Sequence, residues 1–113
     1  MIEQISPNTL SSWLDANRIH GEPVLLDVRE PAEWRLASIQ PAGAELLQIP
    51  MQTIPLRLAE LDPERPVAVL CHHGGRSMQV AMFLTRQGFT HIANVAGGID
   101  AWSLQVDPSL PRY

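Results

Sequence analysis

The chain has 113 residues, a formal net charge of −4 and an apolar fraction of 45%, which suits one domain with its own core and disfavours nucleic acid as a partner. Eight arginines and no lysine exclude Schiff-base lysine and P-loop lysine chemistry. A single cysteine cannot close an intramolecular disulfide and fits a reducing, cytoplasmic setting; Met1–Ser6 has no basic stretch or long apolar run, so neither a signal peptide nor a membrane partner is expected.

Ile2–Ile5 reads as a short edge strand. Ser6-Pro7 then resembles an N-cap followed by proline in a first helical turn, opening a helix through Leu10, Trp13 and Leu14. After the polar connection Asn17–Pro23, the run Val24-Leu25-Leu26-Asp27-Val28 has strand length. An acid inside such a run is costly unless paired, so Asp27 is expected to bond backbone amides or an arginine. Arg29–Leu36 has an early proline and acids in its first turn, the pattern of a short helix.

Ala37–Ala44 reads as loop, Glu45–Ile49 as a third strand ended by Pro50, and Pro55 with Leu56, Leu58 and Leu61 as a helix. Asp62–Pro66 is a turn, and Val67–Leu70 is a strand that delivers Cys71. The following helix extends to about Gln87 with Gly88 as its C-cap. A last strand lies within Phe89–Val95, from His91, and Gly97–Trp102 turns into a short helix. Asp107–Tyr113 is an extended, proline-punctuated tail. Strands alternating with helices predict an α/β domain spanning residues 1–113, with a parallel sheet covered on both faces. In such sheets the site lies beyond the carboxyl ends of the strands, where Cys71 and Asp27–Arg29 both fall.

The chemistry concentrates in Cys71-His72-His73-Gly74-Gly75-Arg76-Ser77. Paired glycines let the backbone curl and aim N–H groups inward, and the coming helix adds partial positive charge, an arrangement that stabilises an anionic sulfur. Cys71 is therefore the candidate nucleophile, weighed against an inert core cysteine. His72, His73, Gly74, Gly75, Arg76 and Ser77 are the candidate substrate-binding residues. Arg76 brings a permanent cation to the rim at a helix start, where the dipole disfavours it, so an anion or carboxylate partner is expected. Ser77 is read first as a helix cap, with a bond to the sulfur as the alternative, and Asp27 and Arg29 as braces of the loop. No metal site is expected, because consecutive histidines on a tight loop rarely face one ion and no second Cys/His cluster completes a shell.

These residues carry a resemblance. Leu25-Leu26-Asp27-Val28-Arg29-Glu30 with Glu33, then Cys71-x-x-Gly74-x-Arg76-Ser77, then Asn94-Val95-x-Gly97-Gly98-Ile99-x-Ala101-Trp102 are similar to three ordered signatures of the rhodanese domain family. His72-His73-Gly74 and the ending Asp107–Tyr113 resemble rhodanese domains fused to adenylating enzymes of sulfur-carrier activation. The departure is Ala37–Ala44, where Ser38 stands in place of a usual histidine.

The resemblance implies a rhodanese-like α/β fold with a five-stranded, mostly parallel sheet and helices on both faces. It also implies sulfur transfer through a Cys71 persulfide, without a cofactor. The implied partners are a small anionic sulfur donor such as thiosulfate or a persulfide, and a thiophilic acceptor: cyanide, a thiol or a protein. The competing reading is a rhodanese-like binding module with little turnover. A second competitor, a cysteine phosphatase, is disfavoured by loop length, since the four residues between Cys71 and Arg76 are one fewer than that chemistry uses around a phosphate.

Overall fold

The computed structural model describes residues 2–113, Met1 lying outside them. Among these residues are five strands and four α-helices. The strands are β1 (Glu3–Ile5), β2 (Val24–Asp27), β3 (Glu45–Gln48), β4 (Val67–Leu70) and β5 (Ile92–Val95). The helices are α1 (Leu10–Asn17), α2 (Pro31–Leu36), α3 (Gly75–Arg86) and α4 (Gly98–Gln105). The strand order is β1-β5-β4-β2-β3 and every neighbouring pair is parallel. The sheet is thus wholly parallel, one step beyond the mostly parallel sheet expected.

Strands β2, β4 and β5 are buried along their whole length, as apolar runs without polar alternation should be when both faces are covered. Alternate residues divide between two cores. Val24, Leu26, Val67, Val69 and Ile92 pack with Val80, Ala81 and Leu84 of α3. Leu25, Ala68, Leu70, Ala93 and Val95 face Leu10, Trp13 and Leu14 of α1 and Ile99 of α4. Cys71 continues the first set and so faces α3.

The chain leaves β2 for the edge strand β3, then returns to β4 on the other side of β2. That reversal opens a crevice at the carboxyl ends of β2 and β4, the place where open parallel sheets bind ligands. Val28 N–H donates to Leu70 O across it at 2.9 Å. The Asp27–Arg29 and Cys71 segments therefore meet at one point.

Two expected helices differ. A 3-10 turn, Pro7–Thr9, precedes α1; Ser6 N–H donates to Thr9 Oγ1 at 3.1 Å, so the start is a tighter turn than a regular helical one. The leucine pattern after Pro55 forms no α-helix: 3-10 turns at Met51–Thr53 and Leu58–Glu60 are joined by turns. Pro55 has no N–H for an i−4 carbonyl and crowds the preceding turn, while Leu56 points to solvent at 90% exposure. Helix α3 ends as expected, with Gly88 at φ +98° and Phe89 N–H donating to Leu84 O. No helix is long and apolar enough to cross a membrane among the described residues.

Candidate active site

Strand β4 ends at Leu70, and the next residue puts its sulfur under the N-terminus of α3. Cys71 is buried and free. Gly74 adopts φ +105°, and its amide donates to Cys71 Sγ at 3.0 Å. A side chain at Gly74 would be strained by that φ and would press on Gly97 N at 3.2 Å. Gly75 shows no such demand: its φ is not positive and nothing lies within 4 Å of a Cβ built there. The paired glycines thus do different things, Gly74 making the turn and Gly75 opening the helix.

The backbone of the loop is sorted by polarity. Ile99 N–H donates to Cys71 O at 2.9 Å and Asp100 N–H to His72 O at 3.1 Å, so the first turn of α4 takes up the loop carbonyls. The first-turn amides of α3 at Gly75, Arg76 and Ser77 have no intrahelical acceptor, as helix geometry dictates. Among the described residues the Gly74 amide is the backbone donor that reaches Sγ, a narrower cradle than the whole loop. The helix directs its later amides along its own axis, and the thiol sits near the start of the loop.

Ser77 takes the second of its two expected roles, bonding the sulfur rather than capping the helix. It lies inside the first turn of α3, fully buried, while Gly74 occupies the N-cap position. Its Oγ accepts from the Cys71 thiol at 3.2 Å and donates to Asn94 Oδ1. Asn94 Nδ2 in turn donates to Gln4 Oε1 at 2.9 Å and Gly74 O at 3.3 Å. Asn94 opens the third signature and is a polar residue in the apolar run Ile92–Val95, the kind that must find partners once buried, but it was not read as a site residue.

Arg76 finds its anion within the protein. Nη1 and Nη2 donate to Glu33 Oε1 and Oε2 at 2.7 and 2.9 Å, a bidentate pair that joins the start of α3 to α2. The guanidinium hydrogen bonds hold the Glu33 carboxyl down at about 2, with burial opposing and the Glu30 amide and Tyr113 hydroxyl assisting. Glu33 also accepts from Glu30 N–H at 3.1 Å, closing the first turn of α2.

Asp27 and Arg29 pair as expected. Nε and Nη2 of Arg29 donate to Asp27 Oδ1 and Oδ2 at 2.9 and 2.8 Å. Nη2 also donates to Ala37 O, and Nη1 to Glu33 O and Tyr113 Oη. All five guanidinium N–H groups of a fully buried arginine thus have acceptors. None of these bonds touches the Cys71–Ser77 loop directly; the link runs through Glu33 and Arg76. Ser38, the departure from the family pattern, donates to Trp34 O at 2.7 Å and finishes α2.

His72 and His73 stack on each other, with centroids 3.8 Å apart and planes 25° from parallel. With Asp100 they bring ligand atoms within 4.8 Å of one another, but stacked imidazoles aim their lone pairs side by side rather than at one ion. Asp100 is moreover held by Arg112 at 2.8 Å. On its other face His72 stacks on Tyr113, with centroids 3.9 Å apart and an interplanar angle of 8°. Burial, then the nearby His73, push the His72 imidazole below its usual value and favour its neutral form. Neither Tyr113 nor Asp100 was read as a site residue from the sequence: Tyr113 reaches the site by long-range folding of the tail, and Asp100 lies in the first turn of α4.

A family model described as Rhodanese-like domain matches residues 6–105. The chain is 41% identical over 99% of its length to 38% of Rhodanese-like/PpiC domain-containing protein 12, chloroplastic, of Arabidopsis thaliana. It is 36% identical to a protein named Sulfurtransferase from Allochromatium vinosum, over 91% of this chain and 90% of that one. It is 33% identical over 96% of its length to 26% of the probable adenylyltransferase/sulfurtransferase MoeZ of Mycobacterium tuberculosis. The chain therefore spans only a minor part of two of these relatives and nearly all of the third. Among solved structures, a rhodanese-related protein from Thermoplasma volcanium superposes with a TM-score of 0.74 at 30% identity, over 98% of this chain and 99% of that one.

Proposed function

Because the chain belongs to the rhodanese-like domain family, we propose that it is a sulfurtransferase in which Cys71 carries sulfane sulfur as a persulfide. The observation that supports this most directly is the Gly74 amide donating to the Cys71 sulfur at 3.0 Å in a loop that opens α3. A donor at that place favours the thiolate as attacking species and stabilises the anion that remains after transfer. With thiosulfate, the thiolate attacks the outer sulfur; the Sγ–S bond forms, the donor S–S bond breaks, and sulfite leaves with the electron pair. An acceptor then attacks the terminal sulfur and the thiolate is regenerated; cyanide gives thiocyanate. Both steps balance without a cofactor.

The first-turn amides of Gly75, Arg76 and Ser77, which lack intrahelical acceptors, are the further donors proposed for a terminal persulfide sulfur, and His72 and His73 are proposed to contact the substrate beside them. Thiosulfate is the proposed donor in vitro, with a persulfide as the alternative. A relative named as adenylyltransferase and sulfurtransferase supports a protein among the acceptors, and the unpaired Cys71 suits a reducing compartment such as the cytoplasm.

Intact mass after incubation with thiosulfate, mercaptopyruvate or a persulfide tests the reading. The native chain gains one sulfur that cyanide removes, and Cys71→Ser gains none. Absence of the adduct with every donor would sink sulfur transfer in favour of a binding module.

A further inference from the structure

The segment Asp107–Tyr113 folds back over the carboxyl ends of the strands and is pinned along its length. Asp107 N–H donates to Trp102 O at 3.1 Å, Ser103 Oγ donates to Leu110 O at 2.7 Å, and Arg112 Nε donates to Asp100 Oδ1 at 2.8 Å. These bonds deliver the Tyr113 ring onto His72, the residue next to the candidate nucleophile. The Tyr113 hydroxyl accepts from Arg29 Nη1 at 2.8 Å and donates to Glu33 Oε2 at 2.9 Å. One side chain thus joins the two ion pairs into a single series: Asp27, Arg29, Tyr113, Glu33, Arg76. Without it, the two pairs share only the Arg29 bond to the Glu33 carbonyl, at 3.2 Å, and the His72 ring has one stacking partner rather than two.

We propose that Tyr113 is a positioning residue of the sulfur-transfer site, holding the His72 ring by stacking and the Arg76–Glu33 pair through its hydroxyl, so that the loop after Cys71 keeps its shape. This rests on the sulfurtransferase reading for its role in turnover, but not for its effect on the loop. The tyrosine needs no chemistry of its own: burial raises its hydroxyl to about 12, so it remains a neutral donor and acceptor across the working range. The stack shields one face of His72, and burial is the leading cause of that imidazole's lowered value; His73, Glu33 and Asp100 are the other titratable groups acting on it, with a contribution from the Tyr113 backbone. Tyr113 stands 84 residues from Arg29 and 80 from Glu33, so the tail acts on residues from the other end of the chain.

Two substitutions separate the ring from the hydroxyl. Tyr113→Phe keeps the stack and removes both hydroxyl bonds; Tyr113→Ala removes both. The loop is read directly by amide hydrogen exchange at Gly74, with Val69 in the middle of β4 as the internal reference. Tyr113→Ala exchanges Gly74 about tenfold faster while Val69 is unchanged, and Tyr113→Phe lies within about threefold of the native chain. By NMR titration the His72 ring moves up towards its ordinary value in Tyr113→Ala and keeps its native midpoint in Tyr113→Phe. Persulfide formation slows about tenfold in Tyr113→Ala, in the rate constant at saturating thiosulfate, and about threefold in Tyr113→Phe.

Gly74 exchange and His72 titration unchanged in Tyr113→Ala would overturn the proposal, as would an unaltered loading rate in a chain that loads sulfur. If the native chain accepts no sulfur, the sulfurtransferase reading falls, while exchange and titration still decide whether Tyr113 shapes the loop.

Discussion

Replacing Gly98 by alanine should cost sulfur transfer more than it costs the fold. Gly98 sits at φ +62°, and a Cβ there would lie 2.4 Å from His72 O, 2.5 Å from Cys71 O and 2.5 Å from His72 C. All three are backbone atoms of the nucleophile loop, so no flexible side chain can give way. Restoring an ordinary contact requires separating the α4 start from the loop by roughly 1 Å. That strains the bonds from Ile99 N–H to Cys71 O and Asp100 N–H to His72 O. The left-handed conformation adds about 1–2 kcal/mol and the overpacking about 1–3 kcal/mol. For a domain of this size the melting temperature should fall by roughly 10–20 °C. A misplacement of about 1 Å at the reacting atom slows transfer by about a hundredfold.

The control is Gly88→Ala: it has φ +98° but no heavy atom within 4 Å of the added carbon, and it lies past the far end of α3. It should lower the melting temperature by roughly 5–10 °C through conformation alone and leave transfer untouched. The assay pairs thermal unfolding by circular dichroism with the rate of the persulfide mass gain, at a temperature where all three chains are folded. Gly98→Ala loading at the native rate would refute the reasoning, and so would equal activity losses in the two variants.

The Glu33 carboxyl titrates at about 2 in the folded chain against an ordinary 4.5. Its folded value is depressed, so the unfolded chain binds more protons between the two, and its stabilisation is complete above about pH 4.5 and lost as pH falls towards 2. Melting temperatures measured from pH 2 to 6 should therefore fall more steeply for the native chain than for Glu33→Gln; parallel curves would show that the Arg76 pair carries no such linkage. Arg29→Ala strands a buried Asp27 carboxylate and should destabilise the chain by about 3–5 kcal/mol in urea titration, a loss under about 1 kcal/mol arguing that water replaces the guanidinium.

Strands β2, β4 and β5 were legible because each is an apolar run of strand length, interrupted only by Asp27 in β2 and Asn94 in β5, and Cys71 because it follows one of them directly and enters a glycine-rich turn. The pairing of Asp27 was foreseeable for the same reason that makes it necessary: a carboxylate in a buried run has to find a donor. The leucines at 56, 58 and 61 misled, since their spacing suggests a helical face, whereas Pro55 breaks the hydrogen-bond series and Leu56 projects into solvent. Ser77 left a choice between capping the helix and bonding the sulfur; Gly74, at positive φ, holds the cap position three residues earlier and leaves Ser77 to the sulfur. Arg76 announced a missing anion without naming it. Glu33 became its partner through a contact spanning 43 residues, and Tyr113 joined Glu33 across 80, distances that local spacing does not encode.

The grip of α4 on the Cys71 and His72 carbonyls has a consequence for how the molecule is made. The first donors of α4 find their acceptors in the loop, and the loop finds its floor in Gly98, so neither is complete alone. In a chain emerging from the ribosome, β4 and α3 can pair with β2 before residues 98–105 exist, but the cup around the sulfur cannot close. The scaffold should therefore form first and the proposed sulfur site be completed only on docking the closing helix, so premature termination ahead of Gly97 should leave the Cys71 and His72 carbonyls without the donors that hold the loop.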